Sequence, residues 1–126
     1  MSYDRNAQQY KAQMISTMTQ GELLLLLYDE LVKRLTQAEL ALEKQMFPVY
    51  EASLQRSVEI VDYLDMTLDM QYPISHELTR LYEYFTYELN RAKIGRRAEP
   101  LTHTKEKIIE LRDAFRAAQK SGESHR

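Results

Sequence analysis

The sequence predicts an all-α fold: an antiparallel up-down-up-down four-helix bundle with a mobile N-terminal arm. Three observations predict it. Apolar residues recur at helical spacing in four stretches of roughly 19 to 25 residues, joined by short breaks that favour antiparallel sequential neighbours. Only three glycines and three prolines occur in 126 residues, and every proline falls where a helical pattern breaks. That length suits one domain burying about two thirds of its unfolded surface, and no internal repeat or second unit divides it. The expected organisation is an arm over residues 1–18, a bundle over 19–120 and a disordered tail over 121–126.

Residues Met1 to Met18 are polar apart from Tyr3, Tyr10, Met14, Ile15 and Met18, and keep no sustained period, as a mobile arm with a few apolar side chains would. The first helix is predicted over Gln20 to Lys44. Thr19 followed by Glu22 forms a capping box, in which each side chain satisfies an orphan N–H. Leu24, Leu27, Tyr28, Leu31, Leu35, Ala38 and Leu42 share one face, a stripe of the width a core-facing helix needs. The run of five leucines from Leu23 to Leu27 sweeps more than a full turn, so it cannot all enter one core. Leu25 and Val32 fall on the flank of the stripe, while Leu26 and Leu40 lie nearly opposite it.

After a break at Gln45, Met46 and Phe47, Pro48 suits the first turn of a second helix, predicted to continue to Met70. Tyr50, Leu54, Ser57, Val61, Leu64 and Leu68 turn inward. Ile60 and Tyr63 lie off that face. Ser75 is the predicted N-cap of the third helix, with Leu78, Leu81, Tyr82, Phe85, Leu89 and Ala92 inward. Gly95 is placed to supply a left-handed cap, and Arg91, Lys93, Arg96 and Arg97 suit the negative end of the helix dipole. The fourth helix starts between Ala98 and Thr104 and turns Leu101, Thr104, Ile108, Leu111, Phe115 and Ala118 inward. Its stripe is the thinnest of the four.

Composition narrows the function. A net charge of −2, from 17 basic and 19 acidic residues, lacks the positive surplus that phosphate-backbone binding needs, so nucleic acid is not an expected partner. The absence of cysteine excludes disulfides, thiolate nucleophiles and cysteine-ligated zinc. Leu23 to Tyr28 is far shorter than the roughly 18 apolar residues of a membrane span. The N-terminus lacks the apolar core of a signal peptide. A soluble, cytoplasmic protein with no membrane insertion is expected.

No enzyme constellation emerges, and neither catalytic residues, cofactor nor metal is expected. Gly21, Gly95 and Gly122 are isolated, so no phosphate-cradling loop can form. A four-helix di-iron site needs two inward Glu-x-x-His pairs, but Glu99 and His103 are four apart and have no counterpart. Asp62, Asp65 and Asp69 share one flank without a second set of oxygen ligands. One alternative is a histidine phosphotransfer bundle. His76 and His103 sit at helix starts rather than mid-helix, however, with no Lys-Gly neighbourhood for a phosphoryl group. The other alternative is a helical adaptor for some other partner.

The predicted surface is more informative. Arg80, Tyr84, Tyr87 and Arg91 follow i, i+4, i+7 and i+11 on the face opposite the third helix's core stripe. Tyrosine and arginine are enriched in binding hot spots, and the chain has nine tyrosines and no tryptophan. Together with Leu25, Leu26, Leu40, Ile60 and Tyr63, these residues put apolar groups outside the core stripes of three helices. Grooves awaiting an apolar helical partner account for them together.

The order and spacing of several motifs resemble one family. Tyr10, Ile15, Thr17, Gly21, Glu22, Leu23, Leu27, Tyr28 and Asp29 resemble the N-terminal signature of the flagellin export chaperone family FliS. There a tyrosine precedes an aliphatic residue by five, ahead of a Thr-Ala-Ser-Pro-like helix start and a Leu-Tyr-Asp-Gly-like continuation. Leu81 to Tyr84 resemble its Leu-Tyr-x-Tyr, and Glu110 to Phe115 its Glu-Leu-Arg-Asp-Ala-Trp. The likeness spans about Tyr10 to Ala118. Met18 and Gln20 replace the usual alanine and proline, Glu30 a common glycine, and Phe115 the tryptophan.

The resemblance implies a cytoplasmic, non-enzymatic chaperone. Such a protein binds the disordered C-terminal segment of new flagellin, prevents its premature polymerisation and assists its delivery to the flagellar type III export apparatus. Tyr10, Ile15, Leu25, Leu26, Ile60, Tyr63, Tyr84 and Tyr87 would then contact the partner, with the arm around Tyr10 covering part of the empty groove. An export-gate component and a homodimer are further partners consistent with this reading.

Overall fold

The computed structural model describes Gln9 and residues 18–124, the side chains of 122–124 excepted. Tyr10 and Ile15, and with them most of the predicted arm, lie outside the described residues. Four helices follow in order: α1 Gln20–Glu43, α2 Phe47–Met66, α3 Pro73–Gly95 and α4 Ala98–Ser124. α1 packs on α2 and α4, and α3 packs on the same two helices. This square of sequential neighbours is the expected up-down-up-down arrangement.

Local chemistry explains where each helix stops. At the start of α1, Thr19 is extended and its Oγ1 accepts from the Glu22 amide at 3.1 Å. At its end, the Met46 amide donates to the Ala41 carbonyl at 2.8 Å and the Gln45 amide to the Leu42 carbonyl at 3.1 Å. That pair of bonds is a Schellman motif, and it holds Gln45 at φ 58. A side chain there opposes the left-handed backbone by about 1–2 kcal/mol. Gln45→Gly is therefore expected to stabilise the bundle by about 0.5–1 kcal/mol, after the greater freedom glycine has in the unfolded chain. A higher urea midpoint at unchanged slope would show it.

Several boundaries differ from the sequence expectation. α2 ends at Met66 rather than Met70, because Thr67 Oγ1 turns back to the Leu64 carbonyl (3.1 Å) and Asp69 Oδ1 accepts from the Gln71 amide (3.0 Å). Such local side-chain bonds compete with helix continuation. α3 starts at Pro73, whose preset φ suits the first helical position. Ser75 is thus not the cap. It is buried in the first turn, donating to the Asp69 carbonyl at 2.6 Å. The left-handed residue after α3 is Arg96, at φ 50, and not Gly95. Its guanidinium lies 3.9 Å from the centroid of the Phe47 ring and 3.6 Å from Glu51, contacts that offset the backbone cost.

α4 also exceeds its predicted end, continuing through residues 121–124. Ala117, Ala118, Gln119 and Lys120 are strong helix formers, and one glycine costs only about 1 kcal/mol. Ala118, expected inward, is exposed there.

The core collects Tyr28, Leu31, Leu35 and Ala38 from α1, Tyr50, Leu54, Val61 and Leu64 from α2, Leu78, Tyr82, Phe85 and Leu89 from α3, and Leu101 and Ile108 from α4. Leu24, Leu27, Leu42, Leu68, Leu81, Leu111 and Phe115 pack half-buried around it. The α1–α4 seam is polar outside this core. Glu39 accepts from Lys105 (2.6 Å) and Thr102 (2.9 Å), and Asp29 meets Arg112 (3.3 Å) and Arg116 (3.2 Å). Thr104, predicted inward, is fully buried, yet its Oγ1 finds no hydrogen-bond partner among the described residues. A buried hydroxyl without a partner costs about 1–3 kcal/mol. Thr104→Val keeps the shape and removes that cost, so thermal unfolding should register a gain of about 1 kcal/mol.

Candidate partner-binding site

The three segments that carry the family likeness meet at one buried point. The hydroxyls of Tyr28 and Tyr82 hydrogen-bond to each other across the α1–α3 diagonal. The Phe115 ring of α4 stacks on Tyr28, with centroids 5.6 Å apart and planes 28° apart. Beside them Asp29 pairs with Arg112. Burial pushes both phenols upward from their ordinary range, the neighbouring tyrosine adding to the effect at Tyr28. Both therefore stay protonated at neutral pH and serve each other as donor and acceptor.

Above this point the bundle end is open. The start of α1, the end of α2, the α2–α3 turn and the last turns of α4 converge around a pocket of about 430 Å³. Leu23, Leu24, Leu27, Leu68 and Leu78 form its apolar walls, Tyr82 and Phe115 lie in its lining, and Tyr63 and Tyr72 complete it. Tyr63 is 44 % exposed and Tyr72 61 %, so both rings stand at the rim. Gln20 and Gly21 also line the pocket, which places the start of α1 at its mouth. α1 approaches α4 closely here: a Cβ on Gly21 would come within 2.9 Å of the Gln119 side chain.

The predicted contact residues divide into three groups. Tyr63 joins the α1 leucines at the pocket, and Leu26 is exposed on α1, with Leu25 half-buried beside it. Tyr84 and Tyr87 lie along α3 on the side of α4, where the Lys107 ammonium sits 5.8 Å from the Tyr84 centroid and the Arg91 guanidinium 5.9 Å from that of Tyr87. Tyr87 and Arg91 line a shallow concavity there with Ile94 and Pro100. Tyr84 and Tyr87 do not line the pocket that holds Tyr63, and Tyr63 does not line the Tyr87 concavity, so the structure does not bring these two sets together.

Ile60 forms the third group, and it corrects the expectation of an exposed contact. It is only 6 % exposed and belongs to the core. A helix in a square bundle faces two neighbours, so the buried arc of α2 is wider than one stripe and takes in Ser53, Val58 and Ile60.

Sequence patterning alone missed the pocket itself. Leu24, Leu27, Leu68, Leu78, Tyr82 and Phe115 all have inward positions, and a helical projection does not distinguish an inward residue from an enclosed one. The usable signal was their place along the chain: apolar residues crowd the first turns of α1 and the α2–α3 turn, where a bundle has no lid.

Among the described residues no group of three or more histidine or acidic side chains is arranged to hold a metal. No described helix is long and apolar enough to cross a membrane. Comparison with known proteins bears on the family. The model of a family described as flagellar protein FliS matches residues 3–122. The flagellar secretion chaperone FliS of Bacillus subtilis (strain 168) is 27% identical over 112 residues, covering 89% of this chain and 84% of that protein. With the family model matched over nearly the whole chain, and the motif segments gathered around Tyr28, this chain belongs to the FliS family of flagellar proteins.

Proposed function

We propose that this protein is a cytoplasmic flagellar export chaperone that binds the disordered C-terminal segment of flagellin. In this role it keeps the segment from polymerising early and assists its delivery to the type III export apparatus, where an export-gate component is a second partner. The observation that carries the reading is the open apolar pocket with tyrosines at its rim, together with a separate tyrosine strip along α3. An extended chain with short amphipathic helices can engage both, whereas a rigid globular partner reaches one. Ordering such a chain offsets part of the contact energy and keeps a wide interface reversible. Exposed His76 and His103 at helix starts give a phosphotransfer reading no comparable support.

The test is calorimetry with a C-terminal flagellin peptide. One-to-one binding with a large negative heat-capacity change is expected. Absence of binding rejects the proposal. The arm enters this reading as a cover for the empty pocket, through Tyr10, Met14 and Ile15. Removing residues 1–18 should then leave the bundle folded and speed flagellin association; unchanged kinetics would reject the cover and leave the chaperone reading intact.

A further inference from the structure

The far end of the bundle carries a second apolar surface, which meets the Tyr87 concavity only at Ile94 and is otherwise outside the flagellin reading. A groove of about 630 Å³ runs between the end of α1 and the start of α2. Leu40, Met46 and Val49 line it while remaining 51 %, 48 % and 44 % exposed. Pro48 and Ala52 also border a neighbouring concavity between α2 and α3, so the surface continues to Ile94, which is 83 % exposed. Single apolar residues in water are ordinary. Four large ones joined by two concavities mark an interaction surface.

Charge selects the occupant. Arg34 and Lys44 line the first concavity and Lys93 and Arg96 the second; Arg34 pairs with Glu30 at 2.9 Å and Arg96 with Glu51 at 3.6 Å, which leaves the Lys44 and Lys93 ammoniums without a carboxylate partner among the described residues. This positive rim stands out on a chain whose net charge is −2. The groove between two antiparallel helices suits a third helix, and the stretch of α1 from Arg34 to Lys44 corresponds to about 15 Å, or roughly three turns.

We infer that the α1–α2 hairpin end is a docking site for an acidic amphipathic helix of a protein other than the cargo. Its apolar stripe lies over Leu40, Met46 and Val49, and its carboxylates meet Lys44 and Lys93. The pocket rimmed by Tyr63 and Tyr72 lies at the opposite end of the bundle, so this helix and a chain seated in that pocket occupy the protein together.

Nuclear magnetic resonance on the full chain tests this with two synthetic amphipathic peptides about 15 residues long. Both carry the same leucine stripe, flanked by glutamates in one and by lysines in the other. The glutamate peptide is expected to shift amide signals of residues 34–55 and 93–96. The lysine peptide should bind at least about tenfold more weakly, and salt should narrow the difference. Leu40→Glu and Val49→Glu, both at exposed positions, should each reduce binding of the glutamate peptide about tenfold while the circular dichroism spectrum is unchanged. Equal affinity of the two peptides, or shifts confined to the pocket rimmed by Tyr63 and Tyr72, overturns the inference. So does line broadening at residues 34–55 that grows with protein concentration without peptide, which would assign the surface to a second copy. Binding of phosphatidylglycerol vesicles through these same residues would assign it to a membrane and equally overturn it.

Discussion

Replacing Tyr28 with alanine is expected to destabilise the bundle by about 3–5 kcal/mol, the usual cost of removing a buried aromatic ring. Tyr28 is fully buried, stacks on Phe115 and hydrogen-bonds to Tyr82, so the substitution opens a cavity and strands a buried hydroxyl together. A domain of this size is stable by about 5–15 kcal/mol, so this change alone brings it close to unfolding. Denaturant unfolding would measure the loss. Two further variants separate ring from hydroxyl. Tyr28→Phe should cost about 1–3 kcal/mol by leaving Tyr82 unpaired, whereas the double change Tyr28→Phe, Tyr82→Phe should recover most of it, because no polar group is then buried alone. Failure of the double variant to recover would mean that the hydrogen bond is not the term that matters.

The same pair implies a dependence on alkaline pH. Both phenols ionise at higher pH in the folded than in the unfolded state. Above the unfolded tyrosine value of about 10, the folded state retains more protons and stability falls as pH rises. Below that value the pair's contribution is fully present. Unfolding followed between neutral pH and beyond 10 should show this decline in the native chain and a shallower one in the double phenylalanine variant.

At the pocket rim, Tyr63→Ala and Tyr72→Ala are each expected to weaken binding of the flagellin C-terminal peptide about tenfold or more, as loss of a tyrosine hot spot does. Their exposure keeps the cost to the fold small, within about 0.5 kcal/mol. Titration calorimetry of the two variants, beside their melting curves, reads both quantities. The paired change Tyr84→Ala, Tyr87→Ala interrogates the separate strip along α3. A drop in affinity there places the peptide on both surfaces, and unchanged affinity in all three variants would reject the pocket as the flagellin site.

Most of the architecture could be read from residue spacing, because each helix buries a stripe whose period is set by backbone geometry alone. Thr19 and Glu22 located the start of α1 for the same reason: the capping bond is local. What spacing could not resolve was anything decided by a second element. Ile60 looked peripheral on a single helical projection and is buried because α2 has two neighbours. Arg96 accepts a left-handed backbone where Gly95 was the better local candidate, and it does so with Phe47 of another helix beneath it. The pocket was hidden by the same limitation. Leu24, Leu27 and Phe115 point inward as expected, but whether inward ends in packing or in open space depends on where four helices terminate together.

The separation of the Tyr63 and Tyr87 surfaces also governs how a bound chain would come off. Helices are about 10 Å across, so a path around one side of the square crosses about 20 Å, which roughly six residues of extended chain can bridge. Contacts arranged along such a strap lie in series. A pull applied at one end loosens them one after another, as tape lifts from a surface, instead of breaking them all at once. A translocation machine drawing on the free end could strip the cargo with modest force, while the intact wrap resists spontaneous loss.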